Sequence, residues 1–70
     1  MRITLNGKNE EIKEGPVSVT KLLEVMNVEM PEVVTVERNG EILEREKFPS
    51  TTVKDGDKIE FLYFMGGGRR

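Results

Sequence analysis

Seventy residues with a net charge of −2 and 34% charged side chains describe one small, well-solvated domain, and this balance excludes the basic surface of a nucleic-acid binder. The chain has neither Cys nor His, which removes disulfides, Cys/His zinc sites, a thiol nucleophile and the commonest general acid–base group. No apolar run approaches the length needed to cross a bilayer, and Met1-Arg2-Ile3-Thr4-Leu5 lacks the apolar stretch of a secretory signal, so a cytoplasmic location is expected.

Met1, Ile3 and Leu5 alternate with polar residues, the period of a half-buried strand. Asn6-Gly7 is a strong two-residue hairpin signal, and Lys8 to Lys13 returns as a second strand with Ile12 inward. Gly15-Pro16 breaks that strand. Ser18 is a suitable N-cap, and Val19, Leu22, Leu23 and Met26 recur at helical spacing, which predicts a helix over about Val19 to Asn27 with Lys21 and Glu24 outside. Pro31 marks the next loop. Val33 to Glu37 is rich in β-branched residues and predicts a third strand; Asn39-Gly40 turns it into a short strand, Glu41 to Leu43. Glu44 to Thr52 reads as a polar connection with Phe48 tucked into the core. Asp55-Gly56 turns the chain once more, and the aspartates around Gly56 lack the remaining ligands of a calcium loop, so a turn is the expected role. Lys58 to Phe64 predicts the last strand, with Ile59, Phe61 and Tyr63 on the core side and Leu62 and Phe64 on the other.

A hairpin, a helix across one sheet face and further strands imply an α+β domain. The right-handed crossover rule is compatible with the first and last strands lying side by side in the middle. That arrangement is the β-grasp, or ubiquitin-like, fold: a mixed sheet of about five strands with one main helix packed on one face. So small a domain has little room for a deep pocket, and an independent enzyme is not expected.

After Phe64 the pattern stops. Met65-Gly66-Gly67-Gly68-Arg69-Arg70 offers three consecutive glycines that have no side chain to pack and great backbone freedom. The expected division is a domain over 1–65 and a flexible tail over 66–70. By itself such a tail is commonly a frayed end. It can also thread a narrow channel in a partner enzyme, where a Cβ would clash. Leu62, Phe64, Met65 and Gly66, beside the tail, are the candidate docking residues.

Taken together, the Asn6-Gly7 turn, the Val19 to Leu23 helix start, the Asn39-Gly40-Glu41 hairpin, Val53-Lys54-Asp55-Gly56-Asp57 before the final strand and the terminal glycines resemble the sulfur carrier family of thiamine biosynthesis over residues 1–68. Relatives of that family include the small subunit of molybdopterin synthase. The resemblance implies a protein that supplies no catalytic side chain and holds no permanent cofactor. A partner adenylating enzyme of the ubiquitin-activating type uses ATP to join AMP to the terminal carboxylate. Sulfur from a cysteine desulfurase, or sulfide, then replaces AMP, and the resulting thiocarboxylate supplies thiazole synthase or another sulfur-using synthase. The matching residues are Gly67 and Gly68, with Gly68 carrying the sulfur. The chain departs from the family pattern at Arg69-Arg70, because a guanidinium-bearing residue does not fit a glycine channel. Similar carriers with a short extra tail are trimmed by a metalloprotease of the deubiquitinase type, so removal of Arg69 and Arg70 is the expectation. The same residues also suit a carrier for molybdopterin, cysteine or homocysteine, or a ubiquitin-like modifier. Neither nucleic acid nor membrane is an expected partner.

Overall fold

A computed structural model describes residues 1–63. Strand β1 (Arg2–Leu5) turns into β2 (Lys8–Glu11), and a two-residue strand β3 (Val17–Ser18) leads into helix α1 (Val19–Val25). Strands β4 (Thr35–Arg38) and β5 (Glu41–Leu43) form a second hairpin. A 3-10 helix (Arg45–Ser50), a two-residue strand β6 (Thr52–Val53) and the last strand β7 (Lys58–Leu62) complete the domain.

The main sheet has the order β2-β1-β7-β4-β5, with β1 and β7 parallel and every other pairing antiparallel. The first and last strands therefore lie side by side, as the element order predicts for a β-grasp fold. Both hairpins turn on Asn-Gly pairs. Asn6 and Gly7 have φ of 50° and 83°, and Asn39 and Gly40 have 54° and 89°. Two successive residues at positive φ match the twist of a two-residue hairpin, and Asn and Gly tolerate that region best.

The core lies between α1 and one face of the sheet. Ile3 and Leu5 from β1, Ile59 from β7 and Val36 from β4 meet Val19, Leu22 and Leu23 of the helix, with Ile12, Val34, Phe48 and Val53 closing the sides. This burial, in a chain with no Cys to form a disulfide, supplies the drive to fold.

Several boundaries differ from the pattern read along the chain. The helix stops at Val25 rather than Asn27. Ser18 Oγ accepts the Lys21 amide at 3.0 Å, as an N-cap should. At the other end Asn27 takes a φ of 54°, and the amides of Asn27 and Val28 bond back to Glu24 O and Leu23 O. This is a Schellman closure with Asn in the left-handed position, so Asn27 ends the helix instead of extending it. The third strand begins at Thr35, because Val33 sits in an exposed turn and only Val34 is buried. The polar connection is in part a 3-10 helix with Phe48 buried as expected. The Arg45 guanidinium stacks over the Phe48 ring and donates to the carbonyls of Pro31 and Val34, tying this helix to the loop before β4. The pairing of β3 with β6, Val17 against Val53, escapes sequence reading because two residues are too few to show alternation. The last strand ends at Leu62, and Tyr63 is 43% exposed rather than part of the core.

Candidate functional site

The site expected from the sequence is the end of β7 together with the glycine tail. That strand is held from both sides. On one side it pairs with β4, Thr35 opposite Leu62 and Val36 opposite Phe61. On the other, the β1 ladder covers only Thr4–Lys58 and Leu5–Ile59, and Asn6 carries it further. The Asn6 amide donates to Ile59 O at 2.9 Å, and its side-chain Oδ1 accepts the Phe61 amide at 2.8 Å. A turn side chain thus stands in for the backbone acceptor that β1 lacks once it has turned away. Just past the strand, the Tyr63 hydroxyl donates to Glu29 O in the loop after α1. The root of the tail is fixed against three separate segments of the domain.

Side-chain alternation decides which residues surround that root. Ile59 packs into the core and Phe61 packs against it, so Lys58, Glu60 and Leu62 project from the open face of the sheet. Leu62 lies there beside Thr35 and is half-buried. Ile42 joins this face from β5, opposite Glu37, and is 65% exposed. Ile42 escaped the sequence reading, although the signal was present: Leu43 next to it faces inward, so alternation sends Ile42 out. Of the other docking candidates, Phe64, Met65 and Gly66 lie outside the described residues. So do Gly67 and Gly68, proposed to carry the sulfur, and Arg69 and Arg70, proposed to be removed.

The loop before β7 serves the fold. Asp57, only 6% exposed, accepts the Lys54 amide at 3.0 Å, Arg38 Nε at 3.2 Å and Asn39 Nδ2 at 3.2 Å. Burial pushes its carboxyl upward. The hydrogen bonds from Lys54, Asn39 and Arg38, together with the Arg38 charge, outweigh that and hold it below its ordinary 3.8. Asp55 Oδ1 accepts the Arg2 amide at 2.7 Å. The aspartates flank a turn, as expected, and in addition stitch it to β1 and to the β4–β5 hairpin, which the sequence did not announce. Among the described residues no group of three or more acidic, Cys or His side chains is placed to hold a metal, and no helix is long and apolar enough to cross a membrane.

Fold and site define a ubiquitin-like protein with a β-grasp domain whose last strand runs into a glycine tail. The comparisons with known proteins agree. The ThiS family model matches residues 3–68. The sulfur carrier protein ThiS of Bacillus subtilis is 36% identical over 66 residues, covering 94% of this chain and 98% of that one. The crystal structure of a ThiS thiamine biosynthesis protein from Geobacter metallireducens superposes with a TM-score of 0.91 at 56% identity, covering 97% of this chain and all of that one. The thiazole synthase of Paramagnetospirillum magneticum is 35% identical over 68 residues, which span 97% of this chain but only 20% of the synthase. The chain belongs to the ThiS family.

Proposed function

We propose that this chain is a sulfur carrier of thiamine biosynthesis that holds sulfur as a thiocarboxylate on Gly68 after loss of Arg69 and Arg70. The observation that carries the reading is the extent of the family match, which runs to residue 68 and leaves out the two arginines. The chemistry explains why a protein without Cys or His suffices. A carboxylate is a poor electrophile. A partner adenylating enzyme uses ATP to convert the Gly68 carboxylate into an acyl adenylate with release of pyrophosphate; sulfide attacks the acyl carbon, the C–O bond to AMP breaks, AMP leaves, and the thiocarboxylate sulfur is the cargo. The carrier contributes no catalytic group, only a chain end slim enough to enter an active site and a domain that docks beside it.

The consumer of the cargo is a thiazole synthase on this reading. Support comes from the synthases of Paramagnetospirillum magneticum and Magnetococcus marinus, in which a stretch similar to this whole chain makes up about a fifth of the polypeptide. Leu62, Phe64, Met65 and Gly66 form the docking segment that guides Gly67 and Gly68 into each partner. Leu62→Glu, on the open face of the sheet, is expected to weaken binding to the adenylating enzyme by about tenfold or more while the protein stays folded. Unfolding of the variant would place Leu62 in the core instead.

The trimming step is tested by intact mass spectrometry of the protein purified from its own cells. A species ending at Gly68 is expected, and recovery of the full 70-residue chain alone would overturn the processing step.

A further inference from the structure

Two exposed side chains take over at the end of β7 where its backbone ladders run out. The β1 ladder ends at the Leu5–Ile59 pair and the β4 ladder at the Thr35–Leu62 pair. Beyond the first, Asn6 Oδ1 accepts the Phe61 amide at 2.8 Å; beyond the second, the Tyr63 hydroxyl donates to Glu29 O at 2.5 Å. Neither residue belongs to the core. The acceptor of the second bond is held in place by a strained backbone. The φ of Met30 is the rotation that orients the peptide unit carrying Glu29 O, and it stands at 54°. That is the left-handed region, which a side chain without glycine's freedom or asparagine's local bonding occupies at a penalty. Met30 is 58% exposed, so burial of its side chain offsets little of that penalty. The Val33 amide closes back on Met30 O at 3.0 Å, and Arg45 donates to Pro31 O at 2.7 Å, so the loop that presents Glu29 O is braced. Backbone strain that secures an exposed contact at the start of the tail points to a role beyond stability.

We infer that Asn6 and Tyr63 are positioning residues for the reaction at Gly68: together they fix where, and in which direction, the tail leaves the domain. The inference rests on the carrier reading above. Five residues, Phe64 to Gly68, follow Tyr63 up to the reacting carboxylate, and fully extended they reach about 17 Å. A domain docked on the adenylating enzyme must deliver a carboxylate oxygen to the α-phosphorus of ATP, from which pyrophosphate leaves, at one point within that reach. A loosened origin spreads the chain end over positions that miss this point, and a displacement of about 1 Å at a reacting group costs up to about a hundredfold in rate. The docking segment sets how tightly the carrier is held, and Asn6 and Tyr63 set how well the held chain reacts. Neither touches ATP or the reacting atoms.

The test measures ATP–pyrophosphate exchange by the adenylating enzyme of the same cell, with chains ending at Gly68. Tyr63→Phe removes the hydroxyl and keeps the ring, and Asn6→Gly keeps a turn that tolerates positive φ and removes the acceptor. The double variant is expected to lower kcat about tenfold, and Tyr63→Phe alone about threefold, with KM for the carrier unchanged. Asn6→Asp, which retains an acceptor oxygen, is expected to react at the parental kcat. Asp57→Asn, which weakens the fold through the loop before β7 and leaves both contacts in place, is the control for stability and is also expected to keep the parental kcat. A parental kcat in the double variant would overturn the inference and leave the carrier reading intact. A raised KM at unchanged kcat would make the two residues docking contacts and overturn it too. So would an equal fall in kcat in Asp57→Asn, which would assign the loss to stability. A parent chain that supports no exchange would bring down the carrier reading, and this assignment with it.

Discussion

Alanine at Gly68, in a chain that ends there, is expected to slow sulfur loading by at least about a hundredfold, since small displacements of a reacting group cost that much. The reason is steric and conformational. On the proposed carrier reading the tail enters the adenylating site backbone first, through a channel where a Cβ would clash, and glycine alone takes positive and negative φ with equal ease. The fold should not notice the change. Among the described residues every buried apolar residue of the core lies between Ile3 and Ile59, and the thermal midpoint of Gly68→Ala is expected to equal that of the parent. Loading rates from a single-turnover assay with the adenylating enzyme, ATP and sulfide check the prediction. An alanine variant that loads as fast as the parent would remove the argument for a glycine channel.

The second large effect belongs to the fold. Asp57→Ala should destabilise the domain by about 2 kcal/mol, because it removes the nearly buried carboxylate that accepts from the Arg38 guanidinium, the Asn39 side-chain amide and the Lys54 amide at once. For a domain of this size that is a fall in thermal midpoint on the order of 10 °C or more. The pH dependence has a defined sign. Asp57 is held below its ordinary 3.8 in the folded protein, so its ionised form stabilises the fold. That contribution is complete above pH 3.8 and is lost as the pH falls through the lowered folded value. Urea unfolding at neutral pH and in strong acid checks it: the gap between the parent and Asp57→Asn should narrow in acid. A gap that stays constant would mean that the Asp57 charge does not contribute.

These two residues mark the limits of reading the chain without its structure. Asp57 is visible in the sequence only as part of an Asp-Gly turn, because its partners Arg38 and Asn39 come from another hairpin and nothing local announces them. Asn6 is similar: its turn role is legible from Asn-Gly, whereas the use of its side chain to prolong the β1–β7 ladder depends on a strand more than fifty residues away. What is legible rests on period and punctuation. Ile3 and Leu5, the helical spacing of Val19, Leu22 and Leu23, and the two Asn-Gly turns are local signals strong enough to give the β-grasp order. The β3–β6 pair and the 3-10 helix are not legible, since each depends on Phe48, Arg45 and Val53 finding distant neighbours. The carrier reading comes from the family resemblance instead: a run of glycines after a last strand is by itself commonly a frayed end, and the likeness to sulfur carriers is what points to chemistry on Gly68.

The most direct test is reconstitution. The chain ending at Gly68 is mixed with the adenylating enzyme of the same cell, ATP and sulfide, and its intact mass is recorded, with the Bacillus subtilis carrier treated in parallel under its own enzyme. Replacement of one oxygen by one sulfur, located to the C-terminal glycine by fragmentation, is the predicted result. An unchanged mass, while the Bacillus subtilis carrier gains its sulfur, would contradict the account.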